Sequence, residues 1–321
     1  MAFDPSPFVD FRERLVGNVG RVILGKDAEI ERLLVALVCR GHVLLDDVPG
    51  TGKTMLARAV AGSLGGTFRR VQFTPDLLPN DVTGVTVYNQ KTGEFELREG
   101  PVFTNILLAD EINRATPRTQ SALLEAMSET QVSIDGVTHM LPMPFMVLAT
   151  QNPVEFEGTF PLPEAQLDRF MLRLTLGYPN FDDERRVLED QRHGHPIDSL
   201  EPVASLEELA ALQASVGEVH ADDTVIEFML NVTRGTREHA DVDLGASARG
   251  SLAMFKTSQA LAAMRGRDFV LPDDAKEMAP WVLPHRVLLK PESALRGVTA
   301  ADLVLSLIGS TELAIVNQDG D

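Results

Sequence analysis

The chain has 321 residues, of which 44% are hydrophobic and 24% charged, and its formal net charge is −18. This composition can build a packed core and excludes a wholly disordered protein, and the length allows one large or two medium domains. The strong acidity disfavours nucleic acid as a partner, because phosphate backbones are repelled unless positive charge is gathered in one place.

The cysteine content and the N-terminal residues indicate a compartment. The single cysteine, Cys39, cannot form an internal disulfide and lies in an apolar helical pattern, which is typical of a core residue in a reducing environment. Residues 1–7 contain Asp4 and two prolines instead of a basic segment followed by an apolar one. No apolar run approaches the roughly 18 to 20 residues that span a bilayer. We therefore expect a soluble, cytoplasmic protein without a signal peptide.

The first two predicted elements are a helix and a strand. Ile30, Leu33, Leu34, Leu37 and Val38 recur at helical spacing, which predicts a helix that opens near residue 25 and closes at residue 41. The fully apolar run at residues 43–45 predicts a short buried strand, and a further helix is expected over residues 55–64.

Between this strand and this helix lies a segment that has the residue types of a phosphate-binding loop. Glycines let backbone N–H groups approach a polyphosphate, a lysine places a cation against the outer phosphates, and a threonine hydroxyl can ligate Mg²⁺. We predict that the nucleotide is bound by Asp47, Val48, Pro49, Gly50, Thr51, Gly52, Lys53, Thr54 and Met55, with Thr54 also a ligand of Mg²⁺.

One residue of the loop departs from the usual pattern. That pattern is a glycine, four residues and then Gly-Lys-Thr, and Asp47 stands where the first glycine is expected. We expect Asp47 to tolerate unusual backbone angles and to hydrogen-bond locally, so that the loop still works. The alternative is a strand-turn-helix connection that merely contains Gly-Lys-Thr.

The next segment predicts a strand followed by an insertion. Residues 68–73 have the composition of a strand, and residues 74–81 contain two prolines and turn formers. Two short runs, residues 85–88 and 94–97, flank a turn sequence that ends in Gly93, which predicts a hairpin. We assign residues 74–99 as an insertion between core elements.

Two carboxylates follow a buried strand in the middle of the chain. The apolar run at residues 106–109 leads directly into Asp110 and Glu111. At a nucleotide site, Asp110 would hold Mg²⁺, largely through water, and Glu111 would polarise the attacking water. The distance of roughly 55 residues from the phosphate loop strengthens this interpretation of a pattern that is common by itself.

Later elements predict a layered α/β core. An amphipathic helix is expected over residues 119–130, a tight hairpin over residues 132–138, and a buried strand over residues 145–150 that delivers Asn152 to the same sheet edge as Asp110. Short apolar strands that alternate with helices predict a doubly wound parallel sheet.

The C-terminal part has a different pattern. Strand signals nearly vanish beyond residue 181, and helices are predicted over residues 182–191, 205–215, 222–237, 246–264 and 272–282. We therefore predict an α/β core over residues 1–178, an all-helical lid domain over residues 179–310 and a disordered tail over residues 311–321.

Together these motifs resemble the AAA+ ATPases. The resemblance rests on Gly-Thr-Gly-Lys-Thr (50–54), Leu-Ala-Asp-Glu-Ile-Asn-Arg-Ala (108–115), Ala-Thr-Gln-Asn-Pro (149–153) and Gly-Ala-Ser-Ala-Arg (245–249). Residues 72–79, 100–103 and 160–170 are more narrowly similar to the MoxR group, which lies in the helix-2-insert branch of P-loop NTPases. The resemblance implies a P-loop core with a helical lid, a homo-oligomeric ring that is usually a hexamer, and chaperone-like work on partner proteins.

The resemblance also implies roles for single residues. Asn152 matches the polar residue that orients the attacking water, Arg169 the arginine finger that acts in trans, and Arg249 the sensor arginine that the lid lays over the nucleotide; Val22 and Ile23 would border the adenine. The alternatives are a turn asparagine, a surface ion pair of Arg169, an ordinary helix residue, and simple packing.

The function predicted is Mg²⁺-dependent ATP hydrolysis coupled to the remodelling or activation of partner proteins, with ATP and Mg²⁺ as cofactors. The resemblance implies a partner that carries a von Willebrand factor A domain, or another client protein. Catalysis would rest on Lys53, Glu111, Asn152, Arg169 and Arg249. The alternatives are a slow nucleotide-gated binding module, a magnesium-chelatase-like motor subunit and a nucleic-acid motor, the last disfavoured by the acidity. The spacing of the histidines predicts no preformed metal site.

Overall fold

The structure, a computed structural model, describes residues 3–151, 158–192 and 194–312. The strands are β1 (Val43–Asp46), β2 (Phe68–Gln72), β3 (Gly84–Asn89), β4 (Glu94–Glu99), β5 (Ile106–Asp110), β6 (Gln131–Ile134), β7 (Val137–Met140), β8 (Met146–Gln151), β9 (Leu172–Leu174), β10 (Val242–Leu244) and β11 (Leu288–Leu289). The helices are α1 (Ser6–Gly20), α2 (Asp27–Val38), α3 (Lys53–Ser63), α4 (Pro79–Thr83), α5 (Pro117–Glu129), α6 (Glu164–Leu167), α7 (Phe181–Asp190), α8 (Leu206–Ser215), α9 (Asp223–Glu238), α10 (Ala248–Met264), α11 (Pro272–Val282), α12 (Pro291–Leu295) and α13 (Ala300–Ser310).

Five strands form a parallel sheet in the order β2-β5-β8-β1-β9. Successive residues of a strand point to opposite faces, and each face packs into its own apolar cluster. In β1, Val43 and Leu45 pack on the side of α1, α2 and α3, whereas Leu44 packs on the side of α5. This arrangement confirms the predicted doubly wound parallel sheet.

Two hairpins stand apart from this sheet. β3 pairs with β4, and β6 pairs with β7 around Asp135 and Gly136, as predicted. The first hairpin follows α4, which contacts α5, and β3 also contacts β6, so the two hairpins lie side by side. Tyr88 and Phe95 are exposed on the first hairpin, with ring centroids 5.2 Å apart.

Helices α7 to α13 follow the last strand of the sheet, and the five helices predicted between residues 182 and 282 are present with bounds close to those expected. The C-terminal helices form the lid. The lid also contains an antiparallel pair, β10 with β11, that the sequence did not predict. The division at residue 178 stays a prediction.

The lid and the N-terminal helices share one apolar core. Helix α10 is the link, since it contacts α1 and α2 as well as α9 and α11. Its residues Ala260 to Met264 are buried in the same cluster as Ile30 and Leu34 of α2. Buried Glu31 adds a polar contact, because it pairs with Arg12 of α1 and with Arg265 at the end of α10.

Asn152, predicted to orient the attacking water, and the predicted tail beyond residue 312 lie outside the described residues. Within the described ranges, every helix is too short or too polar to cross a bilayer.

Candidate functional site

The phosphate loop connects β1 to α3 and has the backbone that its glycines predict. Gly50 and Gly52 have φ angles of 89° and 88°, in the left-handed region that side chains other than glycine rarely adopt. A Cβ on Gly50 would meet nothing within 4 Å, so the conformation and not the space requires glycine there. The loop then leads into the N-terminus of α3, which directs free N–H groups toward an anion.

Lys53 is folded back onto this loop. Its Nζ donates to the carbonyl oxygen of Asp47 at 2.6 Å and to that of Val48 at 3.2 Å. Partial burial lowers the pKa of Lys53, and the charges of Asp47, Asp110, Asp46 and Glu111 oppose this shift. The ammonium therefore lies among carboxylates and carbonyls that offset part of the cost of its burial, and the phosphates of a nucleotide would offset more of it.

Asp47 differs from its predicted role. Its backbone is not in the left-handed region, and its carboxylate does not bond locally. Instead, Oδ2 accepts hydrogen bonds from the backbone N–H groups of Leu176, at 2.6 Å, and Gly177, at 2.9 Å. The residue that replaces the first glycine of the loop thus holds the segment that leads from β9 into α7.

A cavity of about 260 Å³ borders the loop on the side of the N-terminal helices. Val22 and Ile23 line it together with Gly52 and Met55, and the side chain of Ile23 faces Gly52. The lid contributes Val187 of α7 to the opposite wall. This partly apolar pocket suits a base, and both residues predicted to border adenine are in it.

A second cavity, of about 270 Å³, adjoins the first and contains the polar groups. Its lining comprises Pro49, Gly50, Gly52, Lys53, Thr54, Met55, Arg70, Gln72, Asp110, Glu111, Thr150 and Gln151. The phosphate loop and the two carboxylates therefore meet at the carboxyl edge of the sheet, where ligands bind in folds of this kind.

Asp110 is held by two neighbours that sequence reasoning missed. Arg70 of β2 donates to its Oδ2 from Nε at 3.1 Å and from Nη2 at 2.5 Å. Thr150 of β8 donates to its Oδ1 at 2.7 Å. Both oxygens of the predicted magnesium ligand are thus occupied within the protein.

Glu111 is restrained in a similar way. Gln72 of β2 donates to its Oε2 at 2.7 Å, Arg114 donates to the same oxygen at 3.0 Å, and the backbone N–H of Glu111 donates to Thr150 Oγ1 at 2.8 Å. The φ angle of Glu111 is 54°, a left-handed conformation that costs about 1 kcal/mol or more in a residue with a side chain. A strained backbone that is fixed by its surroundings is common at catalytic residues.

The donor set fits Mg²⁺. Among the described residues, no group of three or more histidines, cysteines, aspartates or glutamates is arranged to hold a metal. Mg²⁺ usually takes one or two carboxylates and completes its coordination with water and substrate phosphates, all hard oxygen ligands. The Thr54 hydroxyl and the Asp110 carboxylate in the polar cavity supply this chemistry.

The two arginines of the predicted site lie elsewhere. Arg169 and Arg249 line a third cavity, of about 190 Å³, together with Arg40, Lys256 and Arg286. Neither arginine lines the two cavities beside the phosphate loop. The role of Arg249 as the sensor arginine stays a prediction. Arg249 lies near the start of α10, beside Asp168, and α10 packs on α1 and α2.

Positive charge is concentrated in this third cavity, which we call the basic cavity. Its lining includes one carboxylate, Asp168, which accepts from Arg286 Nε at 2.8 Å and lies 4.0 Å from Arg249 Nη1. Burial lowers the pKa of Arg286, the carboxylate of Asp168 opposes the shift, and the charge of Arg249 adds to it. Like charges are therefore held together at a cost, which an incoming anion would offset.

Arg169 is held at the rim of the basic cavity by the end of α5. Its Nη1 donates to the carbonyl oxygen of Leu124 at 2.7 Å and to the hydroxyl of Ser128. Its buried Nε has no hydrogen-bond partner within the described part of the chain. An orphaned donor of this kind costs free energy and is satisfied when an anion arrives.

Comparisons with known proteins agree with this geometry. A model of the ATPase family associated with various cellular activities (AAA) matches residues 42–172, and an AAA lid domain model matches residues 234–306. The chain is 40% identical over 314 residues to Chaperone MoxR1 of Mycobacterium tuberculosis, which covers 95% of this chain and 83% of that relative. The chain belongs to the MoxR-type AAA+ ATPases.

Two further proteins are similar to this chain over nearly their whole length. The uncharacterized protein YeaC of Bacillus subtilis (strain 168) is 52% identical over 302 residues, or 94% of each chain. A solved structure of a proposed ATPase from Cytophaga hutchinsonii superposes with a TM-score of 0.89 at 36% identity, and covers 96% of this chain and 97% of the other. Membership of the MoxR-type AAA+ ATPases implies nucleotide binding and ATPase activity.

Proposed function

We propose that this protein is a Mg²⁺-dependent ATPase that assembles into a homo-oligomeric ring, as a hexamer, and uses ATP hydrolysis to remodel or activate partner proteins. The observation that carries the proposal is the polar cavity, where Lys53, Thr54, Asp110 and Glu111 meet at one sheet edge. Four functional groups of a phosphoryl-transfer site are present there with the residue types that the chemistry requires.

The residues of this chain would divide the work. The loop N–H groups and Lys53 bind the polyphosphate, for which Lys53 exchanges its bonds to two loop carbonyls for phosphate oxygens. Thr54 and Asp110 would hold Mg²⁺, which supplies charge neutralisation at the phosphates when bound. Glu111 orients the attacking water and accepts its proton. Val22 and Ile23 border the base, and Asn152 stays a proposed water-orienting residue.

The restraint on Glu111 supports a second candidate, a slow nucleotide-gated switch. Gln72 and Arg114 both donate to Glu111 Oε2 and direct that oxygen toward β2. This oxygen must exchange a bond within the protein before it can orient a water. We therefore expect slow turnover of the isolated chain, and stimulation by a partner distinguishes the remodelling ATPase from the switch.

The basic cavity supports the ring. Its cations are clustered in a protein of net charge −18, and such a cluster attracts an anion. Because the cluster lies apart from the phosphate loop of the same chain, the anion that fits it belongs to another molecule. A guanidinium suits the charge spread over phosphoryl oxygens, and a finger supplied by a neighbour is worth about 10³ to 10⁵ in rate. We propose that Arg169 and Arg249 both act in trans, on the nucleotide of the next copy.

The hairpins and the composition guide the proposals about partners. The exposed Tyr88 and Phe95 pair offers an apolar surface on the inserted hairpin, which supports contact with a client protein. A partner with a von Willebrand factor A domain and a cytoplasmic location are proposed from the family alone. The high negative charge makes nucleic acid an improbable partner.

Variants of the polar cavity test the enzymatic part. Lys53→Ala should abolish tight binding of ATP, because the main cation of the loop is lost. Glu111→Gln should keep ATP binding and lose turnover, because the amide cannot accept the proton. ATP affinity by calorimetry and phosphate release measure the two effects, and equal ATPase rates in wild type and Glu111→Gln would refute the assignment.

Mixing two inactive variants tests the action in trans. A Glu111→Gln chain still carries the arginine finger, and an Arg169→Ala chain still carries the catalytic base. An interface is therefore complete when the Arg169→Ala chain binds the nucleotide and a Glu111→Gln chain is its neighbour. Random assembly at equal amounts should therefore restore activity at about a quarter of the interfaces. The control replaces the first partner with the Glu111→Gln/Arg169→Ala double variant. Absence of restoration, with assembly verified, contradicts a finger in trans.

A further inference from the structure

The carboxylate of Asp47 connects two parts of the molecule that the proposed ATPase cycle must coordinate. Asp47 begins the phosphate loop, is buried, and accepts the N–H groups of Leu176 and Gly177. These two residues lie in the segment that connects β9 to α7. A carboxylate that accepts two short backbone hydrogen bonds forms a strong, geometrically specific contact.

Lys53 gives this contact a relation to nucleotide. The backbone carbonyl of Asp47 accepts from Lys53 Nζ, while its side chain holds Leu176 and Gly177. In the proposed function, a polyphosphate takes Lys53 from this carbonyl. One residue, Asp47, thus makes both the hydrogen bond to the lysine, through its backbone, and the hydrogen bonds to the segment after β9, through its side chain.

Helix α7 is the element that can respond. None of its residues is buried, and a side-chain cap from Asn180 and contacts at its surface hold it in place. In the segment before the helix, Lys26 Nζ donates to the carbonyl oxygen of Tyr178 in an exposed bond of 3.1 Å. Elements with few buried contacts open at low free energy. The same helix contributes Val187 and Asp190 to the base-side cavity.

We propose that Asp47 is a positioning residue that couples occupancy of the phosphate loop to the placement of α7, through its two hydrogen bonds to Leu176 and Gly177. The glycine usual at this position has no side chain and could not make the contact. This proposal rests on the proposed nucleotide site. Contrary to the prediction that Asp47 binds the nucleotide, it lines neither of the two cavities beside the loop. We therefore expect the loop to bind nucleotide without the Asp47 carboxylate, and only the response of α7 to be lost.

The test uses hydrogen exchange of the full chain with and without ADP and Mg²⁺, in wild type, Asp47→Gly and Asp47→Asn. The asparagine oxygen can accept both N–H bonds without the charge, so this variant separates geometry from electrostatics. In wild type, ADP should slow exchange both in the phosphate loop and in residues 176–190. In Asp47→Gly, ADP should still protect the loop, but residues 176–190 should exchange about tenfold faster than in ADP-bound wild type. Asp47→Asn should restore most of this protection.

The test has a control variant, and its contrary outcomes separate a failure of this proposal from a failure of the proposed function. Arg185→Ala removes an exposed ion pair within α7, with Glu189, and should change exchange in residues 176–190 by about twofold at most. If Asp47→Gly does not fold, Asp47→Ala replaces it. Wild-type protection of α7 in the folded glycine or alanine variant overturns the proposal, as does loss of ADP binding in Asp47→Asn. Failure of wild type itself to bind ADP refutes the proposed function instead.

Discussion

Arg70 occupies the carboxylate that the proposed magnesium site needs, which makes Arg70→Met an informative perturbation. In the structure, Arg70 donates twice to Asp110 Oδ2, and its side chain is 47% exposed whereas that of Asp110 is 15% exposed. A cation bound beside Asp110 must compete with this pair. Removal of Arg70 should therefore increase the affinity of the ADP complex for Mg²⁺.

The magnitude follows from the exposure of the pair. Fully exposed ion pairs contribute about 0.2 to 1 kcal/mol, and charge-assisted bonds in drier surroundings contribute more, so about 1 kcal/mol is appropriate for this half-exposed contact. This corresponds to roughly a fivefold lower Mg²⁺ concentration at the midpoint. The titration uses ADP and not ATP, because Arg70, once released from Asp110, could contact the γ-phosphate of ATP.

The assay is a Mg²⁺ titration at constant ADP, followed by the fluorescence of an ADP analogue, with affinity in EDTA as the reference. Arg69→Met is the matched control, because its neighbouring guanidinium bonds to the carbonyl oxygen of Gly100 and not to Asp110. A midpoint in Arg70→Met that stays within twofold of wild type, or that rises, would refute the competition between Arg70 and Mg²⁺.

Three further predictions address the polar network, pH and the insertion. Thr150→Val removes the bond to Asp110 and the acceptor of the Glu111 N–H, so we expect about 1–2 kcal/mol less stability in urea and at least tenfold slower turnover at similar ADP affinity. Burial lowers the pKa of His42 to about 4, whereas the unfolded chain titrates near 6.5. Below pH 6.5 the unfolded state binds a proton that the folded state does not, so the contribution of His42 to stability is fully present above pH 6.5 and falls by roughly 2 kcal/mol at pH 5. Urea midpoints measured against pH should show this loss, and the pH dependence should be flatter in His42→Gln. A Cβ on Gly100 would lie 2.4–2.5 Å from backbone atoms at the base of the first hairpin. Gly100→Ala should therefore lower the free energy of unfolding by about 1–3 kcal/mol. Gly217→Ala is the control and should lower it far less, because the space around Gly217 is open.

Elements with strong local signals were predictable from the sequence. The runs that became β1, β5 and β8 are continuously apolar, and the lid helices have clear periodicity. The pair of β10 and β11 was missed because strands of three and two residues carry no measurable alternation. The polar residues at the end of β2 were the signal in the sequence that could have pointed to Arg70 and Gln72. Their contacts with the two carboxylates, however, depend on the order of the strands in the sheet. Only the pairing of β2 with β5, which sets Gln72 opposite Asp110, brings the two side chains to Asp110 and Glu111.

Two site predictions depended on tertiary placement that local pattern does not contain. Asp47 was interpreted as a turn residue, because nothing near it in sequence indicates that its partners are 129 and 130 residues away. The motif of Arg249 identifies the residue but not the orientation of α10, so the sequence does not indicate which cavity this arginine lines. The phosphate loop was more accessible to sequence reasoning, since its chemistry lies within eight consecutive residues.

The apolar core that α10 shares with α1 and α2 has a consequence for dissecting the protein. A cut after residue 178 would leave the buried faces of Ile30 and Leu34 without their cover, and would expose Ala260 to Met264 on the other fragment. Neither fragment would be a self-sufficient folding unit. Core and lid should therefore melt in a single cooperative transition, and the two fragments, expressed together, should reassociate by complementation.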